Sequence, residues 1–227
     1  MNKAFVLHRR RFSNTSFIID LFCQNSGHLT VLAKGASRNH QQQAGLLQAF
    51  TPLIVDYVGR GQVKTLVHSD YQAMPLMLKG RRLYCGLYAN ELLWRLLGKE
   101  IPYPDLFFIY RQLLQDLKIQ PTYDTHLRFF ELALLQALGY APSFSHEFNQ
   151  QVLIDANKQY QYQHQKGFIT CTKNRLNYIN GDTLLAFAAG VLKTTLQRQQ
   201  AKQLMRQMLQ PYLGYRPLKT RELFKSL

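Results

Sequence analysis

Basic side chains in the first third of the sequence stand where positive charge could meet phosphate. They fall in turns and at the ends of short β-rich runs, and they are Arg9, Arg10, Arg11, Lys34, Arg38, Arg60 and Lys64. Loops at the ends of barrel strands can line a groove that follows a nucleic-acid backbone, while nearby Phe12, Tyr57 or His40 stack on bases. Such binding weakens steeply with salt. The same pattern also fits ordinary solvated charges around an aromatic core.

A second group of basic residues lies near the C-terminus. Its members are Arg198, Lys202 and Arg206, which recur every four residues, followed by Arg216, Lys219, Arg221 and Lys225. A repeat of four places side chains along one face of a helix. This stripe either extends a nucleic-acid track or is the solvated side of its helix, and the sequence favours neither interpretation.

Motifs for enzymatic or metal chemistry are missing from the sequence. The segment GRGQVKT at 59–65 resembles a phosphate loop, but such a loop needs a glycine directly before its lysine, where Val63 stands. The seven histidines are scattered, and Cys23, Cys85 and Cys171 form no C-x-x-C pair. The 13 acidic residues show no close pair that would hold magnesium. We therefore expect buried free thiols, no catalytic site, no metal and no cofactor.

The charge balance narrows the class of partner. With 28 Lys and Arg against 13 Asp and Glu, the chain carries a net charge of +15. Such a field attracts polyanions, namely nucleic acid, anionic membrane surfaces or acidic protein tails. No apolar run reaches the roughly 18 residues of a membrane span, and the first arginines follow the apolar run, which reverses the order of a signal peptide. We expect a cytoplasmic protein.

The elements that must position these residues begin with short β-rich runs. Five of them occur in the first domain, and they read KAFVLH, SFIIDLFC, HLTVLAKG, PLIVDYV and VKTLVHSDY. Turn signals separate neighbouring runs, NSG at 25–27 and GRG at 59–61. Five short strands without helical periodicity predict a small OB-type barrel over residues 1–78.

The remainder of the chain changes to a helical period. Apolar residues at a spacing of about 3.6 predict helices, near residues 83–97, 105–117, 122–138, 184–192 and 201–212. The tract 142–180 is polar and rich in Gln and Tyr, and its weak strand-like pieces VLID, QYQYQ and GFITC are compatible with a small irregular hairpin. The predicted fold class is α+β with two domains, a five-stranded OB barrel at 1–78 and an all-helical domain at 79–227 with an irregular insertion at about 142–180.

Blocks of sequence spread over both predicted domains carry a family resemblance. In the first domain they are AFVLH at 4–8, S-x-T-S at 13–16, G-x-L-x-V-x-A-K-G-A at 27–36, LQ-x-FTPL at 47–53 and GRG-x-VKTL at 59–66. In the second they are GLY-x-NELL at 86–93, RFFELALL at 128–135, PYLG at 211–214 and LK-x-RELF at 218–224. Taken in order, these blocks resemble the RecO family of recombinational repair mediators. Only about residues 142–180 lack clear similarity.

The resemblance carries expectations for fold and function. It implies an N-terminal OB fold, a helical C-terminal domain, binding of single- and double-stranded DNA at the nucleoid, annealing of complementary strands coated with the single-strand-binding protein SSB, and cooperation with RecR to load RecA. Many members carry a four-cysteine zinc module, whereas the corresponding region here offers only Cys171. The chain therefore resembles a zinc-less member of the family.

The resemblance also implies a protein-binding site on the helical domain. The acidic, hydrophobic tail of SSB would dock there, with Arg128 meeting its terminal carboxylate and Leu132 and Leu135 lining a pocket. An arginine fork suits a carboxylate. The alternative for Arg128 is an ion pair with Glu131 or another acid on its own helix.

Three classes of function stay open at this point. The first is a non-enzymatic binding and annealing protein, in which the phosphate contacts come from Lys34, Arg38, Arg60 and Lys64, with Arg9 and Arg10 extending the groove. The second is an RNA-binding or ribosome-associated OB protein without a recombination role. The third is an enzyme acting on nucleic acid, which predicts metal- or nucleotide-dependent turnover and for which the sequence offers no constellation.

Overall fold

The computed structural model describes residues 1–35, 45–148, 152–171 and 178–224. Its first five strands form a closed barrel in the order β1-β2-β3-β5-β4. They are β1 (Asn2–Arg11), β2 (Phe17–Cys23), β3 (Gly27–Ala33), β4 (Leu53–Val58) and β5 (Val63–Tyr71). Strand β1 pairs with both β2 and β4, and the only parallel pairing among these strands joins β3 to β5. The predicted OB barrel is confirmed.

Alternating side chains fill the inside of this barrel. Every second residue of β2 and β3 points inward, because successive side chains of a strand lie on opposite faces. The inward residues pack into one apolar core, which includes Ala4, Val6, Ile19, Leu21, Cys23, Leu29, Val31, Ala33, Leu53 and Val55. Burial raises the pKa of the Cys23 thiol to about 12, so this cysteine stays protonated and unreactive.

Two helices belong to the same compact unit as the barrel. They are α1 (Gly80–Leu96) and α2 (Pro104–Ile119), and the unit comprises Met1–Tyr123 together with the segment from Pro217 onward. Pro104 stands at the first position of α2, where its missing N–H removes no helical hydrogen bond. The predicted boundary after residue 78 separates a barrel domain from a helical domain at the point where strands give way to helices along the chain. This division into two domains stays a prediction.

Aromatic contacts fix α1 and α2 to the outer face of β1 and β2. Phe5 and Phe22 point away from the barrel core, and both rings lie 5.2–6.1 Å from the rings of Phe107 and Tyr110 on α2. From α1, the side chain of Asn90 donates to the carbonyl oxygens of Val6 and Leu7. The part of the outer face of β1 and β2 around Phe5 and Phe22 is therefore buried rather than solvated.

A close backbone approach explains Gly27 at the start of β3. Its φ is 65°, in the left-handed region, and a Cβ there would collide with the carbonyl oxygen of Ile101. Glycine alone tolerates both conditions. Next to Ile101, the backbone N–H of Glu100 donates a hydrogen bond to the carbonyl oxygen of His28 over 3.0 Å. The connection between α1 and α2 is thus held against β3.

The second compact unit, Asp124–Arg216, is mainly helical. It contains most of α3 (Tyr123–Ala137), then α4 (Gly181–Ala188) and α5 (Thr195–Leu213). Between α3 and α4 along the chain, three strands form a sheet in the order β7-β6-β8, namely β6 (Gln159–Gln163), β7 (Gly167–Thr170) and β8 (Ile179–Asn180). The predicted helical region is confirmed. The sheet occupies the tract that the sequence presents as an irregular insertion, so the unit is not purely helical.

The sheet and helices of this unit share one core. Its fully buried members include Phe130, Leu134, Tyr160, Phe168, Phe187 and Met205. Helix α5 begins at a capping box, in which Thr194 accepts from the backbone of Gln197 and the Gln197 side chain accepts from the backbone of Thr194. Helix α4 ends at Ala188, before the predicted residue 192, because the chain turns at Gly190 with φ 74°.

The chain returns to the barrel unit after Arg216. There α6 (Thr220–Leu223) begins beside α1, because both carboxylate oxygens of Glu91 accept hydrogen bonds at its start. Among the helices in the described part of the chain, none is long and apolar enough to cross a membrane.

Candidate nucleic-acid interface

Four of the predicted phosphate-binding residues, Arg9, Arg10, Lys34 and Arg60, are exposed on the barrel. Arg10 lies near the end of β1, Lys34 directly follows β3, and Arg60 lies in the turn between β4 and β5. The turn is possible because Gly59 has a φ of 114°. β1 and β3 end at one side of the barrel, whereas β4 ends at the other, since β4 runs antiparallel to β1. These basic groups therefore stand on two sides of the barrel.

Arg9 has a structural contact of its own. Its Nη1 donates to the carbonyl oxygen of Leu47 over 3.1 Å, and its guanidinium carbon lies 4.9 Å from the centre of the Phe17 ring. The cation over the aromatic face stabilises the end of β1 against β2. A contact of Arg9 with phosphate stays a prediction.

Lys64 is buried, unlike the other basic groups of the cluster that lie among the described residues. Only 7% of the residue is exposed, and its Nζ lies 2.9 Å from Oε1 of Glu100. The neighbouring carboxylate neutralises the charge that a phosphate would need. A contact of Lys64 with phosphate stays a prediction, and a phosphate would have to compete with Glu100 for the ammonium group. Arg38 and His40 lie outside the described residues.

The two remaining aromatic candidates for base stacking differ in environment. Phe12 follows β1 in the loop before β2 and is 62% exposed, so its ring is available to a base. Tyr57 packs against the barrel core, and its hydroxyl donates to Oγ of Ser26 over 2.8 Å. Tyr57 therefore stabilises the barrel, and its ring has little free face.

A hydrogen-bonded carboxylate at the middle of β2 is a feature that the sequence prediction missed. Asp20 is 6% exposed and points outward. Its oxygens accept hydrogen bonds from Thr30 Oγ1 at 2.7 Å, Lys99 Nζ at 3.1 Å and Trp94 Nε1 at 3.1 Å, and His28 Nε2 lies 3.3 Å away. The network joins β2 and β3 to the end of α1 and the residues after it.

The protonation state of Asp20 follows from these contacts. Burial by itself raises the pKa of a carboxyl group. Hydrogen bonds from His28, Thr30 and Lys99, with the charge of Lys99, outweigh burial and hold the pKa of Asp20 well below its usual value. The group is a carboxylate at neutral pH, on the face of β2 and β3 that OB folds use for oligonucleotides.

The predicted tail-binding residues lie on α3 in the helical unit. Arg128 is 9% exposed, and its Nη1 lies 2.9 Å from Oε2 of the fully buried Glu131, an ion pair outside hydrogen-bond geometry. Leu132 and Leu135 lie on the same helix, 7% and 0% exposed. The ion pair foreseen as the alternative for Arg128 is present. Docking of a tail at these residues stays a prediction.

The basic stripe on α5 is partly solvated. Lys202 and Arg206 are exposed, whereas the Arg198 guanidinium donates to the carbonyl of Lys193 over 2.9 Å and to Thr195 Oγ1 over 3.1 Å. Arg198 therefore stabilises the turn that precedes the helix.

Within residues 1–35, 45–148, 152–171 and 178–224, no three His, Cys, Asp or Glu side chains are grouped to hold a metal ion.

The fold and the charges define a class, a strongly basic OB-barrel protein extended by a helical region. Two family models divide the chain between them, "Recombination protein O N terminal" over residues 1–71 and "Recombination protein O C terminal" over residues 77–222. The chain belongs to the RecO family, a family of DNA repair and recombination proteins.

Curated relatives match over nearly their whole length. The chain is 43% identical over 224 residues to the DNA repair protein RecO of Photobacterium profundum, which covers 99% of this chain and 95% of that protein. It is 42% identical over 225 residues to RecO of Haemophilus influenzae, with the same coverage. RecO of Pasteurella multocida is 43% identical over 224 residues, or 98% and 93% of the two chains.

Proposed function

We propose that this protein is a recombination mediator that binds single- and double-stranded DNA, anneals complementary strands coated with SSB and works with RecR to load RecA. The observation that carries the proposal is the closed OB barrel with exposed Arg10, Lys34 and Arg60, in a chain with a net charge of +15. Family membership supports the same assignment. Its substrate is chromosomal DNA, which places the protein in the cytoplasm at the nucleoid.

Annealing by such a surface needs no catalytic group. Two DNA strands repel each other through their phosphates, and a protein that neutralises phosphates on both strands lowers this repulsion while releasing counterions. Base pairing then supplies the free energy of the reaction, without hydrolysis of a nucleotide. The protein acts as a binding protein rather than an enzyme, and it needs no cofactor.

The helical unit supplies the partner-binding function in this proposal. The C-terminal tail of SSB docks on α3, where Arg128 meets the tail carboxylate and Leu132 and Leu135 receive its apolar side chains. A planar guanidinium suits bidentate recognition of a carboxylate. In the structure Arg128 contacts Glu131, so the tail carboxylate would compete with or join an existing pair.

The test of the proposed function follows two complementary oligonucleotides precoated with SSB. Their annealing is measured by fluorescence quenching with and without the protein, at 50 mM and 250 mM salt and without ATP. We expect acceleration that falls steeply at the higher salt. No acceleration at either concentration would contradict the mediator function. Preference for single-stranded RNA over DNA of equal length would assign the barrel to RNA instead.

A further inference from the structure

The outer surface of the barrel is divided into transverse rows of paired residues. Strand pairing places Arg10 beside Ile18, Ile18 beside Leu32, Leu32 beside Thr65, and Thr65 beside Val58. Ile18, Leu32, Thr65 and Val58 point outward, because a residue next to each of them along its strand packs in the barrel core. Arg10 pairs with Ile18 and is exposed, so it lies on the same outer face. These residues, Arg10, Ile18, Leu32, Thr65 and Val58, are called the open row.

The neighbouring row is largely occupied by the chain itself. It runs from His8 through Asp20 and Thr30 to Val63. Two side chains cover its middle. The indole of Trp94, in the last turn of α1, stacks on His8 with ring centres 5.1 Å apart, and the ammonium of Lys99, just after α1, donates to Thr30 Oγ1 over 2.7 Å.

The row beyond that is buried completely. Phe5 pairs with Phe22, and Phe22 with His28, which is 1% exposed. The rings of Phe107 and Tyr110 lie over the two phenylalanines. A ligand cannot reach β2 and β3 at this level without displacing α2.

The covered rows also offer a polyanion no uncompensated positive charge at their centre, because Asp20 and Lys99 neutralise each other. Asp20 carries a negative charge at the centre of the covered face, and its neighbour Lys99 is already engaged with it at 3.1 Å. A phosphate placed there would have to break this network and approach a carboxylate. The neutralised charge and the steric cover therefore both disfavour nucleic acid in this area.

The open row has the composition that a single strand requires. Ile18, Leu32 and Thr65 are half-buried and Val58 is 58% exposed, so the row offers an apolar surface for sugars and bases. Its two ends are basic, with Arg10 on β1 and Arg60 two residues after Val58. A strand that crosses the barrel here meets a cation at each end and apolar contacts between them.

We propose that single-stranded DNA crosses this barrel along the open row, confined there because Trp94, Lys99 and α2 cover the remainder of the face that OB folds use for oligonucleotides. This inference rests on the proposed function, since it assigns the path of the DNA that the protein binds. It makes Ile18, Leu32 and Thr65 contact residues, although none of them is basic.

Equilibrium binding of a fluorescent oligo(dT) to the full-length protein tests the path. Arg10→Glu and Thr65→Glu each weaken binding by about tenfold, which is the loss of roughly one base or phosphate contact. Matched controls add the same charge on the same strands away from the row: Lys3→Glu on β1, exposed and paired with Ile54, and His68→Glu on β5, exposed and paired with Asp56. The two controls keep their affinity within about twofold of the wild type. The circular dichroism spectra of all four variants match that of the wild type, which shows that they are folded.

A second measurement covers the case in which Thr65→Glu fails to fold. In a Cys171→Ser background, Thr65→Cys carrying a photoreactive label crosslinks to the oligonucleotide, and His68→Cys with the same label does not. Equal crosslinking from both positions, or full affinity in Arg10→Glu and Thr65→Glu, overturns the open row while leaving DNA binding intact. Absence of binding by the unmodified protein overturns the proposed function and the path together.

Discussion

The indole Nε1 of Trp94 donates a hydrogen bond to Oδ2 of Asp20 over 3.1 Å, and it joins the last turn of α1 to the middle of β2. This bond lies on the outer face of the barrel, where an OB fold usually receives its ligand. Lys99 and Thr30 complete the shell around the same carboxylate. Helices α1 and α2, with the residues between them, are therefore held to the barrel by the buried Asp20 carboxylate as well as by aromatic packing.

Asp20→Asn is expected to destabilise the protein in a pH-dependent way. The pKa of Asp20 in the folded state lies below the value of about 3.9 for an unfolded chain. Its carboxylate therefore stabilises the fold above about pH 4, and this contribution is lost as the pH falls toward the lower folded pKa. The substitution lowers the free energy of unfolding at pH 7 by about 2 kcal/mol.

The measurement is urea denaturation of both proteins between pH 7 and pH 3. The difference between wild type and Asp20→Asn shrinks below about pH 4, where the wild-type carboxyl of the unfolded chain becomes protonated. Asp70→Asn, at an exposed position of β5, changes stability by less than about 0.5 kcal/mol. A difference that is constant across this pH range would contradict the assignment.

Glu91→Ala is expected to release the end of the chain from the barrel unit. Oε1 of Glu91 accepts from the Lys219 amide at 2.9 Å, and Oε2 accepts from the Thr220 amide at 2.9 Å and from its hydroxyl at 2.6 Å. These bonds satisfy N–H groups at the start of α6, which would otherwise be unpaired. Loss of such a cap costs about 1 kcal/mol.

Hydrogen exchange of the Lys219 and Thr220 amides measures this release directly. Both amides exchange faster in Glu91→Ala, while amides inside β2 and β3 keep their rates. Glu222→Ala removes an exposed acid of α6 itself and serves as the control, with unchanged exchange at these two amides. Equal rates in wild type and Glu91→Ala would show that α6 is held by other contacts.

Local sequence patterns are sufficient for most elements of this fold. The run VKTLVHSDY coincides with β5 (Val63–Tyr71), and the turn signal before it corresponds to Gly59 with positive φ. Helix α2 begins at Pro104, one residue before the predicted start. Alternation, helical period, glycine and proline all act over a few residues, so a single sequence contains them.

Contacts between residues far apart along the chain could not be predicted from the sequence. Asp20 and Trp94 are 74 positions apart, and Lys64 finds its partner Glu100 in a connection between two helices. No spacing marks these pairs. One signal was available, because Asp20 interrupts the apolar run FIIDLFC, and a charge in a buried strand needs partners. It predicts a covered face but not which helix covers it.

Arg60 and Lys64 are expected to differ in their effect on DNA binding, although both are basic residues at the start of β5 or just before it. Arg60 is exposed, so Arg60→Ala removes one phosphate contact and reduces the slope of log affinity against log salt by about 1. Lys64 is paired with Glu100, so Lys64→Ala changes this slope less.

The cost of Lys64→Ala appears in stability instead. Removing one partner of a partly exposed ion pair costs about 1 kcal/mol or less, because Glu100 is 49% exposed and solvent screens the pair. Salt titrations of oligonucleotide binding and urea denaturation of the same variants separate the two effects. A slope change in Lys64→Ala as large as that in Arg60→Ala would show that Lys64 leaves Glu100 to bind phosphate.

Arg128→Ala is expected to abolish binding of an SSB tail peptide, but the structure shows that this variant alone is a poor test. Glu131 is fully buried beside Arg128, and removal of one partner of a buried pair costs about 3 kcal/mol, because the buried carboxylate loses the neighbouring guanidinium charge. Lost peptide binding could then reflect lost folding.

The double variant Arg128→Met, Glu131→Leu removes both charges and separates these effects. Replacing a buried ion pair with apolar side chains of similar volume is often neutral for stability, so the double variant unfolds closer to the wild-type urea concentration than Arg128→Ala does. Without a guanidinium it still loses affinity for the tail peptide, by tenfold or more, since a charge-assisted contact with the carboxylate contributes roughly 1.5–3 kcal/mol. Fluorescence anisotropy of a labelled peptide measures this loss. Wild-type affinity in a folded double variant would place the tail elsewhere on the protein and leave Arg128 as a structural residue of α3.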